Sequence, residues 1–419
     1  MGRFWHPFAD MAAVRAGGEL VLRSGDGVWL HDIAGRKFLD ATAAAWYANV
    51  GYGRTEIAAA ISDQAGQLHA YHCYADVVTE TTLTLVDKLV EIAPVPDSAV
   101  FLTSGGSDSV DTALKMIQTY WHARGRHDKK TIVTRTNSYH GMHWGGTSLA
   151  GIEPNRAGYD DLLNHTTVVA WDDPTVIDEA VERAGGADQV AAFFCEPVIG
   201  AGGVFPPPPG YLSAVRDACR RHDIVFVADE VITGFGRVGD WFASTRFDLA
   251  PDITLSGKGI TSGYAPLGAV LVAPHVADVV WSPSGPGVWR HGYTYSGHAT
   301  AAAAALANIA IMEREDLPAR SLDLEHTLAE RLTPLAQHPL VAEVRSGTGV
   351  MAAIQLDPGA DGAGPDLGRN VVASLREKGV LTRLLPGDAL HVSPPLIIDD
   401  AEISTLVDHI WHVLADHTP

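Results

Sequence analysis

From Ala99 to Val272 the chain repeats one pattern: a short apolar run, a loop of glycine and small polar residues, and a longer amphipathic stretch. The apolar runs fall near 99–103, 131–135, 166–170, 190–195, 224–228, 252–255 and 268–272. Runs of this length, alternating with helical periodicity, are the mark of strands buried on both faces, and they predict a mainly parallel seven-stranded sheet covered by helices. In such sheets ligands bind at the C-terminal ends of the strands. The flanks read differently. Residues 18–40 form short hairpin strands around Gly25-Asp26-Gly27 and Gly35-Arg36. Beyond about Ala299 come two helices, strands near 341–356, a helix near 367–378, a strand near 389–393 and a closing helix. The expected α/β architecture is a large domain over 55–298 and a smaller α+β domain built from 1–54 and 299–419.

Composition narrows the function classes. With 419 residues, 46% apolar and 19% charged, the chain is that of a globular enzyme and not of a disordered or coiled-coil protein. Thirty Lys and Arg against fifty Asp and Glu give a net charge of −20, so neither nucleic acid nor an anionic membrane surface is an expected partner. Cys73, Cys195 and Cys219 fit no metal-ligand spacing and no disulfide framework, which points to a reducing cytoplasm and to no structural metal. Met1–Asp10 has no basic stretch leading into an apolar one, and no run of ~18 apolar residues occurs anywhere, so neither secretion nor membrane spanning is expected.

The loops after the strands carry the chemistry. Thr103-Ser104-Gly105-Gly106-Ser107 joins a strand to a helix and reads either as an anion cradle at a helix N-terminus or as an ordinary tight turn. It matches neither common nucleotide-binding glycine motif. Asp229-Glu230-Val231 ends a very apolar strand, where a carboxylate needs a cationic partner, a helix cap or a salt bridge. Glu196 before Pro197 poses the same question. Lys258, in Leu255-Ser256-Gly257-Lys258-Gly259, is the one lysine in a small-residue loop directly after an apolar strand. A partly desolvated lysine there has a lowered pKa and forms a Schiff base with an aldehyde. An aldehyde partner, an anion cradle and a carboxylate together supply attachment points for pyridoxal 5′-phosphate (PLP). Tyr139, in Ser138-Tyr139-His140-Gly141, can stack on a pyridine ring or serve as a buried structural residue. His140 and His143, with no third ligand nearby, do not make a metal site. Trp46-Tyr47, between the N-terminal strands and the large domain, either lines a substrate pocket or fills the seam.

These motifs resemble the class III (omega, subgroup II) aminotransferases, PLP enzymes of fold type I. The resemblance runs from Phe4-Trp5-His6-Pro7-Phe8 to Ser393-Pro394-Pro395-Leu396 and includes TSGGSDSVDTALK at 103, YHG at 139, DEVITGFGR at 229 and SGKG at 256. It implies that Lys258 bonds the cofactor aldehyde, Asp229 pairs with the pyridinium nitrogen, and Tyr139 and Val231 cover the two ring faces. It further implies that Gly106 and Ser107 hold the phosphate, and that Thr294, in HGYTYSGH, reaches the phosphate of the other subunit of a homodimer. The implied reaction is ping-pong transamination between an amine donor and a keto acid through aldimine and ketimine states.

Family members that use 2-oxoglutarate often carry a glutamate in E-P-x-x-G-E-x-G. Here Glu196-Pro197-Val198-Ile199-Gly200-Ala201-Gly202-Gly203 has Ala201 at that place. The chain is in this respect similar to omega-amine and β-alanine:pyruvate transaminases, with a primary amine or omega-amino acid as donor and pyruvate as the expected acceptor. Arg383 in Leu381-Thr382-Arg383 matches their mobile arginine, suited to bidentate carboxylate binding. The rival readings are a 7,8-diaminopelargonate synthase-like enzyme, on the similarity of WHPF, the aromatic pair Trp46-Tyr47 and KMIQTYW at 115, and another fold type I reaction such as decarboxylation or an amino shift.

Overall fold

The structure is a computed structural model that describes residues 3–283 and 285–418. Its strands in chain order are β1 (Leu22–Asp26), β2 (Trp29–Asp32), β3 (Lys37–Asp40), β4 (Ala99–Thr103), β5 (Thr131–Arg135), β6 (Thr166–Val169) and β7 (Val190–Cys195). They continue with β8 (Val225–Asp229), β9 (Ile253–Ser256), β10 (Gly268–Val272), β11 (Val341–Arg345), β12 (Ala352–Leu356), β13 (Val380–Leu381), β14 (Leu384–Leu385) and β15 (Ala389–Val392).

The central sheet has seven strands in the order β4-β10-β9-β8-β7-β5-β6. From β9 to β6 the pairing is parallel, and β10 runs antiparallel to both β9 and β4. All residues of β7, β8, β9 and β10 are buried, as expected of strands covered on both faces. The helix Gly106–Ala123 lies on this sheet through Val110, Ala113, Ile117 and Trp121, spaced to share one helical face. This is the mainly parallel, helix-covered sheet that the apolar runs predicted, with the strands at 225 and 253 each shifted by one residue.

The two ends of the chain meet. β13 pairs in parallel with β3 and adds a C-terminal strand to the N-terminal sheet β1-β2-β3. A third sheet, β11-β12-β15-β14, is wholly C-terminal. One apolar core joins Val28 and Leu39 to the helices Ala299–Arg314, Leu317–Leu332 and Asp400–Asp416. The alanine-rich run at 301–305 is buried in this core, where small side chains let the helix approach its neighbours closely. Among the described residues, no helix is long and apolar enough to cross a membrane.

Candidate active site

Strand ends build an inner cavity of about 120 Å³ at the C-terminal edge of the large sheet. Its floor is the start of the helix Gly106–Ala123, whose N-cap, Gly105, offers no side-chain hydrogen bond and so leaves the first turn open to an anion. A Cβ at Gly106 would stand 2.7 Å from Val231 Cγ1, so only glycine lets the helix start this close to the strand end carrying Asp229. The lysine loop closes on the same helix start. Ser109 Oγ donates to Ser256 O at 3.2 Å, and a Cβ on Gly257 would lie 3.2 Å from the Gly106 nitrogen.

Lys258 follows β9 with φ +44°, in the left-handed region that a non-glycine residue occupies at a cost of order 1–3 kcal/mol. Burial, opposed by the nearby Asp229 and Glu196 carboxylates, lowers its amine to about 8. Asp229, the last residue of β8, also lines the cavity. One of its oxygens accepts from the Val231 N–H at 3.1 Å and the other from His140 Nδ1 at 2.7 Å. Tyr139 enters from the loop after β5, its backbone fixed by the Glu196 carboxylate. That carboxylate also accepts from the Gly200 N–H at 3.0 Å, and burial raises its pKa. Gly106, Ser107, Tyr139, Asp229, Val231 and Lys258, singled out on the sequence, all line this one cavity.

An outer cleft of about 540 Å³ shares Tyr139, Ile232 and Lys258 with it. Trp46, Arg383 and Ala201 line the cleft, as do Phe8, Ile152 and the segment Leu384-Leu385-Pro386. Trp46 reaches it through an unusual turn: Ala43, Ala44, Ala45 and Trp46 all have positive φ. Asp40 holds the turn by accepting from the Thr42 and Ala44 N–H groups, each at 2.8 Å. The Arg383 guanidinium lies 5.0 Å from the Trp46 ring centroid.

Two sequence candidates lie elsewhere in this chain. Tyr47 packs over Gly263 and is not among the residues lining the cleft. Thr294 is exposed, beside the exposed Tyr295, and lines neither cavity of its own chain. Conversely, His140 is fully buried and pairs with Asp229, a role that weighing it as a metal ligand did not reveal. The available signal was its place next to Tyr139 in a loop following a strand of the same sheet.

Comparison with known proteins gives the family. Residues 12–414 match the family model for class III aminotransferases. The chain belongs to that family. This class III aminotransferase is 35% identical to the putrescine–pyruvate aminotransferase of Pseudomonas aeruginosa, with 96% of this chain and 91% of that protein covered. It is also 35% identical to an omega-aminotransferase of Caulobacter vibrioides, over 98% of this chain and 97% of that one. An amine transaminase from an uncultivated Pseudomonas species, solved in its PLP-bound form, superposes with a TM-score of 0.92 at 35% identity, covering 100% of this chain and 99% of that one. The aminotransferase thus carries an amino group from an amine donor to a keto-acid acceptor.

Proposed function

We propose that this chain is a PLP-dependent omega-transaminase that takes the amino group of a primary amine or omega-amino acid and prefers pyruvate as acceptor. The carrying observation is the convergence of an amine lowered to about 8, a carboxylate on the neighbouring strand end and an open helix N-terminus around one cavity. This donor set fits PLP, and the room that glycine leaves at 106 lets the phosphate-binding turn and Val231 face the same space.

When bound, PLP supplies a pyridinium ring that delocalises the electron pair left at the amine-bearing carbon. Gly106 and Ser107 bind the phosphate at the helix start. Tyr139 and Val231 hold the ring between them. Asp229, its second oxygen anchored by His140, keeps a proton on the ring nitrogen. Lys258 Nζ takes the proton from the amine-bearing carbon of the donor and gives one back when the acceptor is aminated. Arg383 binds the acceptor carboxylate through its guanidinium fork. Residues 55–298 serve as the cofactor-binding unit, and 1–54 with 299–419 as the smaller unit that brings Trp46 and Arg383 to it.

The pyruvate preference rests on Ala201, which lines the outer cleft where a glutamate would be needed to hold Arg383 aside. Among the described residues no carboxylate lies within ion-pair distance of Arg383, so nothing there organises a switch between one-carboxylate and two-carboxylate acceptors. The test is a donor panel run with each acceptor. We expect stoichiometric release of the keto product from the donor and a higher kcat/KM for pyruvate; a higher value for 2-oxoglutarate would overturn the acceptor reading.

The exposed Thr294 supports a homodimer with shared sites, as does the apolar surface beside it. Tyr74 lies 3.8 Å from the Cβ position of Gly292, and Tyr71, Val77, Val78 and Tyr295 are all exposed. A second copy covers this face, and Thr294 reaches the phosphate bound by that copy. Lys258→Ala and Thr294→Asp subunits should each be inactive as homodimers. Their heterodimer rebuilds one intact site of two and should recover up to about half the wild-type activity. An inactive, well-folded heterodimer would exclude the shared site.

A further inference from the structure

Arg383 sits immediately before the hairpin of β14 and β15, and the register of that hairpin decides what faces it. Leu384 pairs with Leu390 and Leu385 with Ala389, which brings His391 opposite Arg383, and the His391 N–H donates to Arg383 O at 3.0 Å. Their side chains meet as well. Arg383 Nε stands 3.5 Å from His391 Nδ1, a long hydrogen bond. Both side chains use one platform: the His391 ring lies 4.0 Å from the Trp46 ring at an interplanar angle of 36°, and the Arg383 guanidinium lies 5.0 Å from it. Trp46 is in turn fixed by donating from Nε1 to Ser393 Oγ at 3.1 Å.

The hydrogen bonds are divided unevenly within Arg383. Its Nε has the contact with His391, whereas among the described residues its two terminal nitrogens have no hydrogen-bond partner. A guanidinium anchored at Nε with its fork free is arranged for bidentate capture of a carboxylate. His391 is fully buried, and its Nε2 has no partner, so the ring has no bonding role on that side. Burial, with the charges of Arg383 and Arg237 added, pushes its pKa well below the ordinary range. The ring is neutral and keeps a lone pair on Nδ1 for Arg383 Nε–H.

We infer that His391 is a positioning residue that holds Arg383 by its Nε, over Trp46, so that the free fork faces carboxylate-bearing substrates. The inference rests on Arg383 as the carboxylate-binding residue of the proposed function. His391 touches no substrate and acts only through Arg383, so its removal should weaken the binding of carboxylates and spare amines that carry none.

The test titrates holoenzyme with propanoate, an inert monocarboxylate whose binding does not depend on which keto acid is turned over. His391→Phe keeps a ring on Trp46 and removes the acceptor, and should weaken propanoate about three- to tenfold, the scale of one modest hydrogen bond. His391→Asn, whose side-chain oxygen can take the place of Nδ1, should restore affinity to within about twofold. In an Arg383→Ala background His391→Phe should do nothing further, because the group it positions is gone. The half-reaction with benzylamine should change by less than about twofold in His391→Phe. Should His391→Phe fail to fold, His391→Leu gives the acceptor-free comparison. Undiminished propanoate binding in the acceptor-free variant, or an equal loss with and without Arg383, would overturn the inference alone. Arg383→Ala binding propanoate as tightly as wild type would instead remove the reading of Arg383, and this inference with it.

Discussion

The inner cavity and the outer cleft share Lys258 and Tyr139 but are made from different parts of the chain. The inner one is lined by the ends of strands and the start of a helix within one sheet, and its carboxylates have fixed partners: Asp229 with Val231 and His140, Glu196 with Tyr139 and Gly200. The outer one is assembled from Phe8, Trp46 and the segment around Arg383, which lie far apart in sequence, and Arg383, the charged wall residue it does not share with the inner cavity, has a free fork. A site that must place a proton within hydrogen-bonding reach gains from groups locked by the sheet. A site that must admit first an amine and then a keto acid gains from a charge that can be engaged or left idle. On the proposed roles, chemistry and specificity are thereby separated in space.

The largest expected effect attacks the inner site. Lys258→Ala should lower turnover by at least ~10²-fold, the scale of a lost proton-transfer group. It should still retain PLP through the helix start and Asp229. Borohydride treatment of wild type should fix the cofactor covalently to Lys258 on peptide mapping. Near-normal turnover in the variant, or label on another lysine, would break the assignment of chemistry to the inner cavity. The outer site should respond selectively. Arg383→Ala should cut kcat/KM for pyruvate about tenfold or more, since a charged hydrogen-bond pair is worth about 1.5–3 kcal/mol. An amine without a carboxylate should lose much less. Equal losses in both half-reactions would make Arg383 a structural residue and end the separation.

The same contrast explains what was legible in the sequence. Strands buried on both faces leave contiguous apolar runs, and the residue that follows such a run lies at the ligand edge by topology alone. Lys258, Asp229 and Tyr139 could therefore be found one loop at a time. The outer cleft depends on facts that no local pattern carries. The strands β13 and β14 have two residues each, too short for any periodicity, yet β13 ties the C-terminal segment to β3, and β14 sets Arg383 against His391. Trp46 and Tyr47 are adjacent and both aromatic, and only the run of positive φ from Ala43 to Trp46 decides that Trp46 lines the cleft while Tyr47 packs on Gly263. His140 was visible as a residue but not as a partner, because Asp229 is far away along the chain and adjacent only across the sheet.

The smallest expected effect tests whether the two regions are electrically independent. The Lys258 amine is lowered from 10.5 to about 8, chiefly because burial strips water from its charged form. Asp229 and Glu196 oppose that depression and Arg383 adds to it. Only the neutral amine attacks an aldehyde, so the rate at which apoprotein recombines with PLP should follow the neutral fraction of Lys258. With a midpoint near 8 that fraction rises about threefold between pH 7.5 and 8.5 and then levels off, whereas an ordinary lysine would give about tenfold per pH unit up to pH 10. A rate still climbing tenfold per unit at pH 9 would mean that the cavity does not desolvate the amine. In Arg383→Ala the plateau should move to higher pH, because a positive charge that disfavours the ammonium has been removed. The direction is fixed by the sign of that charge. An unmoved plateau would make the outer arginine electrically silent at the inner site, and a downward shift would mean that the net effect of Arg383 is to favour the Lys258 ammonium.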